Sequence, residues 1–332
     1  MKIPYFDSHC DTLLRILNEG GHLKSNSFHI ALERTKHYKP YVQVFACFSD
    51  MGAKFRGDTK SEQEFIDRCI SGDFEPDYGI YDQFEALTRV FYTEIERNRD
   101  IIMPCRSASD IEKAIKLEKS AAILGVEGAE QIEKIGIEGA FELGVRVLTI
   151  TWNYRNAYAG SCVTGGGLTE EGRKLVKRAG ELGIIMDVSH ASEETFWDIA
   201  QISEKPFIAS HSNSKVLCPH RRNLTDEQFK AIIKAGGVAG INLYSDFIVK
   251  GRQATIDDTI AHIEHFMELG GEKNIAIGAD LDGCETIPEG MNGVEDVELI
   301  WEALARKNYQ GDTLHNIFFG NLIRVFKAME QK

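Results

Sequence analysis

The chain has 332 residues, 43% of them hydrophobic, with a formal net charge of -13 and a pI near 5.3. That length can bury a large core, while so acidic a chain is a poor match for a phosphate backbone, which argues against a nucleic-acid partner. No apolar run approaches the roughly 20 residues that span a bilayer. Charge arrives too early, at Asp7, for a secretory signal, and seven scattered cysteines without a C-x-x-C pair point to reduced thiols in a cytoplasm.

Strands and helices alternate along the sequence. Ile3 to Asp11 reads as a buried strand ending in a polar cluster, with His9 and Asp11 on one face and Cys10 on the other. Thr12 to Glu19 fits a short helix stopped by Gly20-Gly21, and Tyr41 to Phe48 a second strand. Residues 50 to 80 are polar and irregular. From Tyr81 to Arg99 apolar side chains (Phe84, Leu87, Val90, Phe91, Ile95) recur at helical spacing. A further helix opens at Ser109, with Glu112 completing a capping box. Strands follow at Ala121 to Gly128 and Val145 to Trp152, then a helix from Thr169 to Leu182. The next strands are Gly183 to His190 and Pro206 to His211, separated by a helix that Ser192 caps. Thr225 to Gln228 opens another helix as a capping box. Gly237 to Tyr244 and Ile275 to Asp280 are the last strands, with a helix from Asp257 to Leu269 between them. Two closing helices run from Val294 to Arg306 and from Thr313 to Met329.

Eight strands mostly separated by helices predict one α/β domain over residues 1–332, a (β/α)8 barrel of the TIM type with extra C-terminal helices. A doubly wound open sheet is the alternative; the lack of a G-x-G-x-x-G after the first strand counts against a dinucleotide fold. His9, Glu127, His190, His211 and Asp280 each fall at the C-terminal end of a different strand, the rim on which barrel enzymes build active sites. His9 and Asp11 can hold one metal ion, and His190 and His211 a second. Glu127, with two oxygens, can bridge them, which leaves each ion three protein ligands and an open position. The all-nitrogen-and-oxygen donor set suits zinc, with manganese and iron as alternatives. Singly, each residue could be a helix cap, a turn cap or a satisfied strand-end histidine; their common rim is what those readings leave unexplained. His22, His29, His37, His220, His262, His265 and His315 have no such placement and are expected on the surface or in loops.

Several blocks recur in a recognisable order. They are Asp7-Ser8-His9-Cys10-Asp11, Gly125-Val126-Glu127-Gly128, Asp187-Val188-Ser189-His190, Ser210-His211-Ser212, Arg221-Arg222-Asn223, Gly278-Ala279-Asp280-Leu281-Asp282-Gly283 and Phe319-Gly320-Asn321-Leu322-Ile323-Arg324-Val325. In these blocks, which run almost the whole length, the sequence resembles the renal or membrane dipeptidase family of zinc peptidases, within the amidohydrolase-like barrels. The resemblance implies two zinc ions per chain on His9, Asp11, Glu127, His190 and His211. It implies that Arg222 receives the substrate's C-terminal carboxylate, a role that suits a planar and always charged guanidinium. It gives Asp280 the proton, orienting the attacking water and passing the proton to the leaving amine. Tolerance of a C-terminal D-residue and a homodimer are also implied.

One stretch departs from that family. Its well-known members end the fourth strand in Thr-His-Asn, where the histidine helps polarise the scissile carbonyl; here the residues are Thr151-Trp152-Asn153. An indole has an N–H donor but neither charge nor base. If the strand continues, Tyr154 shares a face with Trp152 and its hydroxyl is a candidate replacement. The other reading makes both residues pocket walls. The expected protein is thus a cytoplasmic zinc dipeptidase acting on dipeptides. Its rivals are another amidohydrolase, such as a deaminase, a lactonase or an N-acyl amino acid hydrolase, and a metal-free binding protein on the same fold.

Overall fold

The computed structural model describes residues 2–49 and 80–330. The polar stretch from 50 to 79 lies outside the described residues. Among the described residues eight parallel strands form the sheet: β1 (Ile3–Asp7), β2 (Tyr38–Phe48), β3 (Ile102–Pro104), β4 (Ser120–Glu127), β5 (Val145–Thr149), β6 (Ile185–Asp187), β7 (Ala239–Ile241) and β8 (Ile275–Ile277). Their spatial order is β6-β5-β4-β2-β1-β8-β7, with β3 added beside β4. β3 is absent from the sequence expectation because three residues carry no readable alternation. The stretch from Pro206 to His211, expected as a full strand, makes only two isolated parallel bridges, Ile208 with Asp187 of β6 and Ala209 with Ala239 of β7.

The helices are α1 (Thr12–Glu19), α2 (Ile80–Arg97), α3 (Ala108–Lys116), α4 (Gly136–Leu143), α5 (Glu170–Leu182), α6 (Glu193–Ile202), α7 (Asp226–Ala235), α8 (Ser245–Ile248), α9 (Ile256–Glu268), α10 (Glu298–Arg306), α11 (Asp312–His315) and α12 (Asn321–Glu330). Their ends follow hydrogen-bond chemistry. The Ser192 side chain caps α6 by accepting from Thr195 N, and Thr225 with Gln228 forms a reciprocal capping box on α7. For α3 the cap is Ser107 rather than Ser109. Ser107 is extended, and its hydroxyl accepts from Asp110 N at 3.0 Å, so the helix starts earlier. The short helices α4 and α8 were not legible in the pattern. The last helix, expected from Thr313 to Met329, is helical throughout, with a π turn over Asn316–Gly320 between α11 and α12. No helix among the described residues is long and apolar enough to cross a membrane.

The two faces of the sheet bury different partners. One face, carrying Phe6, Val42, Val44, Ala121, Ile123, Val147, Ile185 and Ala276, packs with Phe319, Leu322, Val325 and Phe326. The other face, with Tyr5, Phe45, Leu124 and Leu148, joins a larger cluster beneath the surrounding helices. α12 lies across the N-terminal ends of the strands. Arg324 donates to Gly236 O and Lys273 O, and Asn321 to Glu272 O and Ile275 O, so the loops entering β7 and β8 are fastened to it. The C-terminal strand ends, at the opposite side, carry the polar cluster.

Candidate active site

Glu127 is the last residue of β4 and lies in the middle of the cluster. Its Oε2 is 3.5 Å from His9 Nε2, while its Oε1 is 2.9 Å from His190 Nε2 and 3.5 Å from His211 Nε2. Asp11 Oδ2 lies 3.6 Å, and Asp280 Oδ1 3.8 Å, from His9 Nε2. All six side chains are buried. Their ligand atoms fall into three overlapping groups within 4.8 Å: His9, Asp11 and Glu127; Glu127, His190 and His211; His9, His211 and Asp280. β1 ends at Asp7, so His9 and Asp11 do not share a strand face. They meet because the chain continues beside the end of β8, where Cys10 bridges Leu281 and Asp11 N donates to Leu281 O at 3.0 Å.

The cluster presents bare acceptor atoms. The hydroxyl of Ser210 donates to Asp187 Oδ2 at 2.5 Å, so it accepts from His211 Nδ1–H at 2.7 Å. His190 Nδ1 lies 2.8 Å from Asn153 Oδ1, which can only accept. Each imidazole therefore carries its proton on Nδ1 and turns an unprotonated Nε2 toward Glu127. Burial, followed by the charge of Arg222, pushes His190 down to about 4. Burial, His9 and Arg222 hold His211 well below the usual range. For His9, burial works in the same direction but is outweighed by Glu127 and Asp11, which raise it well above the ordinary value. Burial would raise Glu127; the charge of His9 overrides it and holds the carboxyl well below the usual carboxylate range. His9 Nε2 and Asp11 Oδ1 are buried without a hydrogen-bond partner. Orphaned atoms are rare in interiors, and two imidazoles with bare Nε2 atoms beside an ionised Glu127 are donors of the kind a divalent cation takes.

Comparison with known proteins fixes the family. Residues 1–332 match the family model described as membrane dipeptidase, peptidase family M19. The chain belongs to that family. It is thus an M19 metallopeptidase, a hydrolase. An uncharacterized protein from the pqqA 5' region of Klebsiella pneumoniae is 34% identical over 242 residues, 69% of this chain and 89% of that one. An uncharacterized dipeptidase of Schizosaccharomyces pombe is 33% identical over 282 residues, 77% of this chain and 66% of that one. Among solved structures, a metallopeptidase from Rhodobacter sphaeroides, liganded with a phosphinate mimic of the dipeptide L-Ala-D-Ala, is 25% identical. It superposes with a TM-score of 0.85 over 99% of this chain and 100% of that one.

In this M19 chain the cluster opens into a cavity of about 210 Å³, walled by Phe48, Trp152, Asn153, Tyr244, Phe247 and Asp280 among others. Trp152 packs on Phe48 with ring centres 5.0 Å apart and lies 6.1 Å from the His190 ring. Because β5 ends at Thr149, strand alternation does not carry Tyr154 to the cavity. Its hydroxyl donates to Glu130 Oε1 at 2.7 Å, and it does not line the cavity. Arg222 is buried, with its guanidinium 5.5 Å from the centre of the Phe247 ring and Nη2 donating to His211 O at 3.4 Å. It lines a second cavity of about 200 Å³ that shares His190 with the first. Asp280 Oδ2 accepts from Asn242 Nδ2 at 3.0 Å. Burial, with Asp11 and Glu127 close by, raises its carboxyl to about 7 against the pull of His9. Asp282 is turned away: its oxygens accept from Thr12 Oγ1 and His29 N.

Sequence reasoning missed Asn153, Ser210, Asn242 and Asp187, which hold the cluster without belonging to it. Asp187 alone accepts from Thr149 Oγ1, Ser189 N, Ser210 N and Ser210 Oγ. Asn153 and Ser210 do sit inside stretches singled out for their neighbours. Asn242 gave no signal at all. Of the histidines expected at the surface, His262 is buried, accepting from Ser214 N through Nδ1 and bonded to Ile248 O through Nε2.

Proposed function

We propose that the protein hydrolyses the single peptide bond of dipeptides at a pair of zinc ions. His9 and Asp11 hold one ion, His190 and His211 the other, and Glu127 bridges. The observation that carries this reading is the convergence of five buried donor groups on one rim, two of their atoms orphaned, in a fold whose R. sphaeroides neighbour was liganded with a dipeptide mimic. When bound, such ions supply Lewis acidity, polarising a carbonyl oxygen and lowering the pKa of water.

The remaining steps belong to the side chains. Arg222 takes the free carboxylate of the C-terminal residue; a buried guanidinium whose Nε has no protein partner is ready for one. Asp280, raised to about 7, accepts the proton of the attacking water through Oδ1 and returns it to the leaving nitrogen. Trp152 and Phe48 form an apolar wall beside the reacting bond, and Trp152 takes no part in proton transfer. Tyr154 acts indirectly, through Glu130. A D-residue at the C-terminal position is accommodated in this reading, as the neighbour's L-Ala-D-Ala mimic suggests.

Further parts of the reading concern the whole chain. The bridges of Ile208 and Ala209 to β6 and β7 support a closed eight-stranded barrel forming one domain over residues 1–332. A homodimer follows from the family resemblance, and a cytoplasmic location is consistent with the free cysteines of the described residues.

The test is metal analysis of the purified protein, then assay against L,L and L,D dipeptides as free acids and as C-terminal amides. Two metals per chain and hydrolysis confined to the free acids are the expected results. Metal-loaded protein that leaves every dipeptide intact overturns the reading. The same assay with N-acyl amino acids separates the neighbouring reading, which Trp152 favours by placing an apolar wall where the family has an imidazole.

A further inference from the structure

The loop after β5 carries more hydrogen bonds than a cavity wall needs. Asn153 Oδ1 accepts from His190 Nδ1–H at 2.8 Å and is also approached by the thiol of Cys162 at 3.9 Å. A thiol donor on the same atom agrees with its being the amide oxygen. Ser161 Oγ donates to Asn153 O at 2.8 Å, which fixes the backbone of the same residue. His190 itself has φ +66, the left-handed region that residues with a side chain rarely occupy. Its carbonyl is held there by Cys162 N at 2.7 Å and Thr151 Oγ1 at 3.3 Å. Both the imidazole and the backbone of His190 thus depend on residues 151–162.

That loop is fastened in turn to the segment that carries Glu127. Glu130, three residues on, is buried, and each of its oxygens is spoken for. Oε1 accepts from Tyr154 Oη at 2.7 Å, and Oε2 from Asn156 Nδ2 at 2.8 Å. Asn156 Nδ2 also donates to Ile150 O at 2.8 Å, while its Oδ1 accepts from Tyr158 N and Ala159 N. Gln131, next to Glu130, donates to Glu127 O through Nε2. A buried carboxylate with no cationic partner among the described residues depends on its hydrogen bonds to offset the cost of burial. Here they index two groups, Glu127 Oε1 and His190 Nε2, that lie 2.9 Å apart.

We infer that Asn153 and Glu130 are positioning residues for the metal ion shared by Glu127, His190 and His211. Asn153 sets the tautomer and ring plane of His190, and Glu130 sets the position of Asn153 relative to Glu127. The inference rests on the binuclear reading above. Residues that orient a metal-ligating histidine commonly contribute 10–100-fold to metal affinity, and an acceptor on Nδ1–H is the usual device. His9 and Asp11 make no contact with this loop among the hydrogen bonds described, so the other ion should be indifferent to it.

The experiment is a competitive titration of the metal-free protein with zinc against a chelator of known affinity, with His190→Ala as the reference that identifies the dependent step. Thermal unfolding of each metal-free variant checks that it is folded. Asn153→Ala should weaken the His190-dependent step by about 10–100-fold and move the other step by less than about 3-fold. Asn153→Asp, whose oxygen can accept the same proton, should restore the affinity. Glu130→Ala should weaken the same step; if it does not fold, Glu130→Gln, which keeps one acceptor oxygen, should show a smaller loss at that step. Equal weakening of both ions, or folded Asn153→Ala with both steps unchanged, overturns the inference. So does Asn153→Asp as weak as Asn153→Ala. A parent protein that binds no pair of ions would instead refute the function proposed above, so the two failures are distinguishable.

Discussion

In the metal-free protein the surroundings of Asp280 lift its carboxyl out of the ordinary carboxylate range, which suits the proton-carrying role proposed for it. Burial does most of this, and the Asn242 amide occupies Oδ2, so Oδ1 is the oxygen that faces His9 and the cluster. Asp280→Asn keeps the shape and loses the proton. Its turnover should fall by about 10²–10⁴-fold with both metals retained, as read from steady-state rates alongside metal analysis. Loss of one metal would make Asp280 a ligand, and turnover within a few-fold of the parent would make it structural. Glu130 gives a different signature. Burial raises it from near 4.5 to about 7 in the folded protein. The folded state then binds its proton more tightly than the unfolded chain. Its contribution is fully present below about pH 4.5 and is lost as pH rises through about 7. Urea midpoints of the metal-free protein should therefore fall between about pH 5 and about pH 8, and Glu130→Gln should reduce that slope. An identical slope in the variant would assign the dependence to other groups. At this scale the sequence was most legible where a residue's chemistry is unusual for a strand end, as with His9, Glu127 and His211. Amides such as Asn153 and Asn242 act through hydrogen bonds to residues distant in sequence, and no periodicity or spacing announces that.

The elements meet most closely at one carbonyl. Ser210 O accepts from Ser8 Oγ at 2.6 Å, and a Cβ built on Gly240 or Gly278 would lie 1.9 Å or 1.7 Å from it. β1, β7, the end of β8 and the segment before His211 thus approach a single atom, which only glycine permits. Gly240→Ala must push β7 away from Ser210 and so disturb His211 beside it. A loss of about 1–3 kcal/mol or more in unfolding free energy is expected, together with weaker metal binding. An unchanged urea midpoint would mean that the contact relaxes freely. Long apolar runs such as β2 and β4 were readable because both faces are buried. The segment from Pro206 to His211 was misread as a full strand: its composition suits one, but its ladder is only two bridges long. Helix starts were readable where a hydroxyl precedes the helix by one residue, and misplaced at α3, where Ser107 and Ser109 both qualify on spacing alone.

At the scale of the molecule, Asp11, Glu127 and Asp280 crowd buried carboxylates into a chain that already carries a formal net charge of -13. Metal binding relieves that crowding, so chelation should lower the melting temperature as well as the activity. The stabilisation at free metal 100 times the dissociation constant is about 2.7 kcal/mol per site. Glu127→Ala, lacking the bridge, should melt at a temperature that added zinc does not move; a full metal-dependent shift in that variant would argue against bridging. The parallel architecture could be read from the recurrence of strands and helices, but the role of α12 could not, since its amphipathic pattern does not say which surface it covers. That surface is the N-terminal side of the sheet, where Phe319, Leu322, Val325 and Phe326 meet Phe6 and Val42. Chain order gives this arrangement a meaning in time. A ribosome has delivered every strand and every proposed metal ligand before the segment that covers this side emerges. A nascent chain paused after Asp280 holds every proposed site residue above an uncovered apolar floor. Exposed apolar surface of that kind is what chaperones and proteases recognise, and arrival of α12 is what covers it.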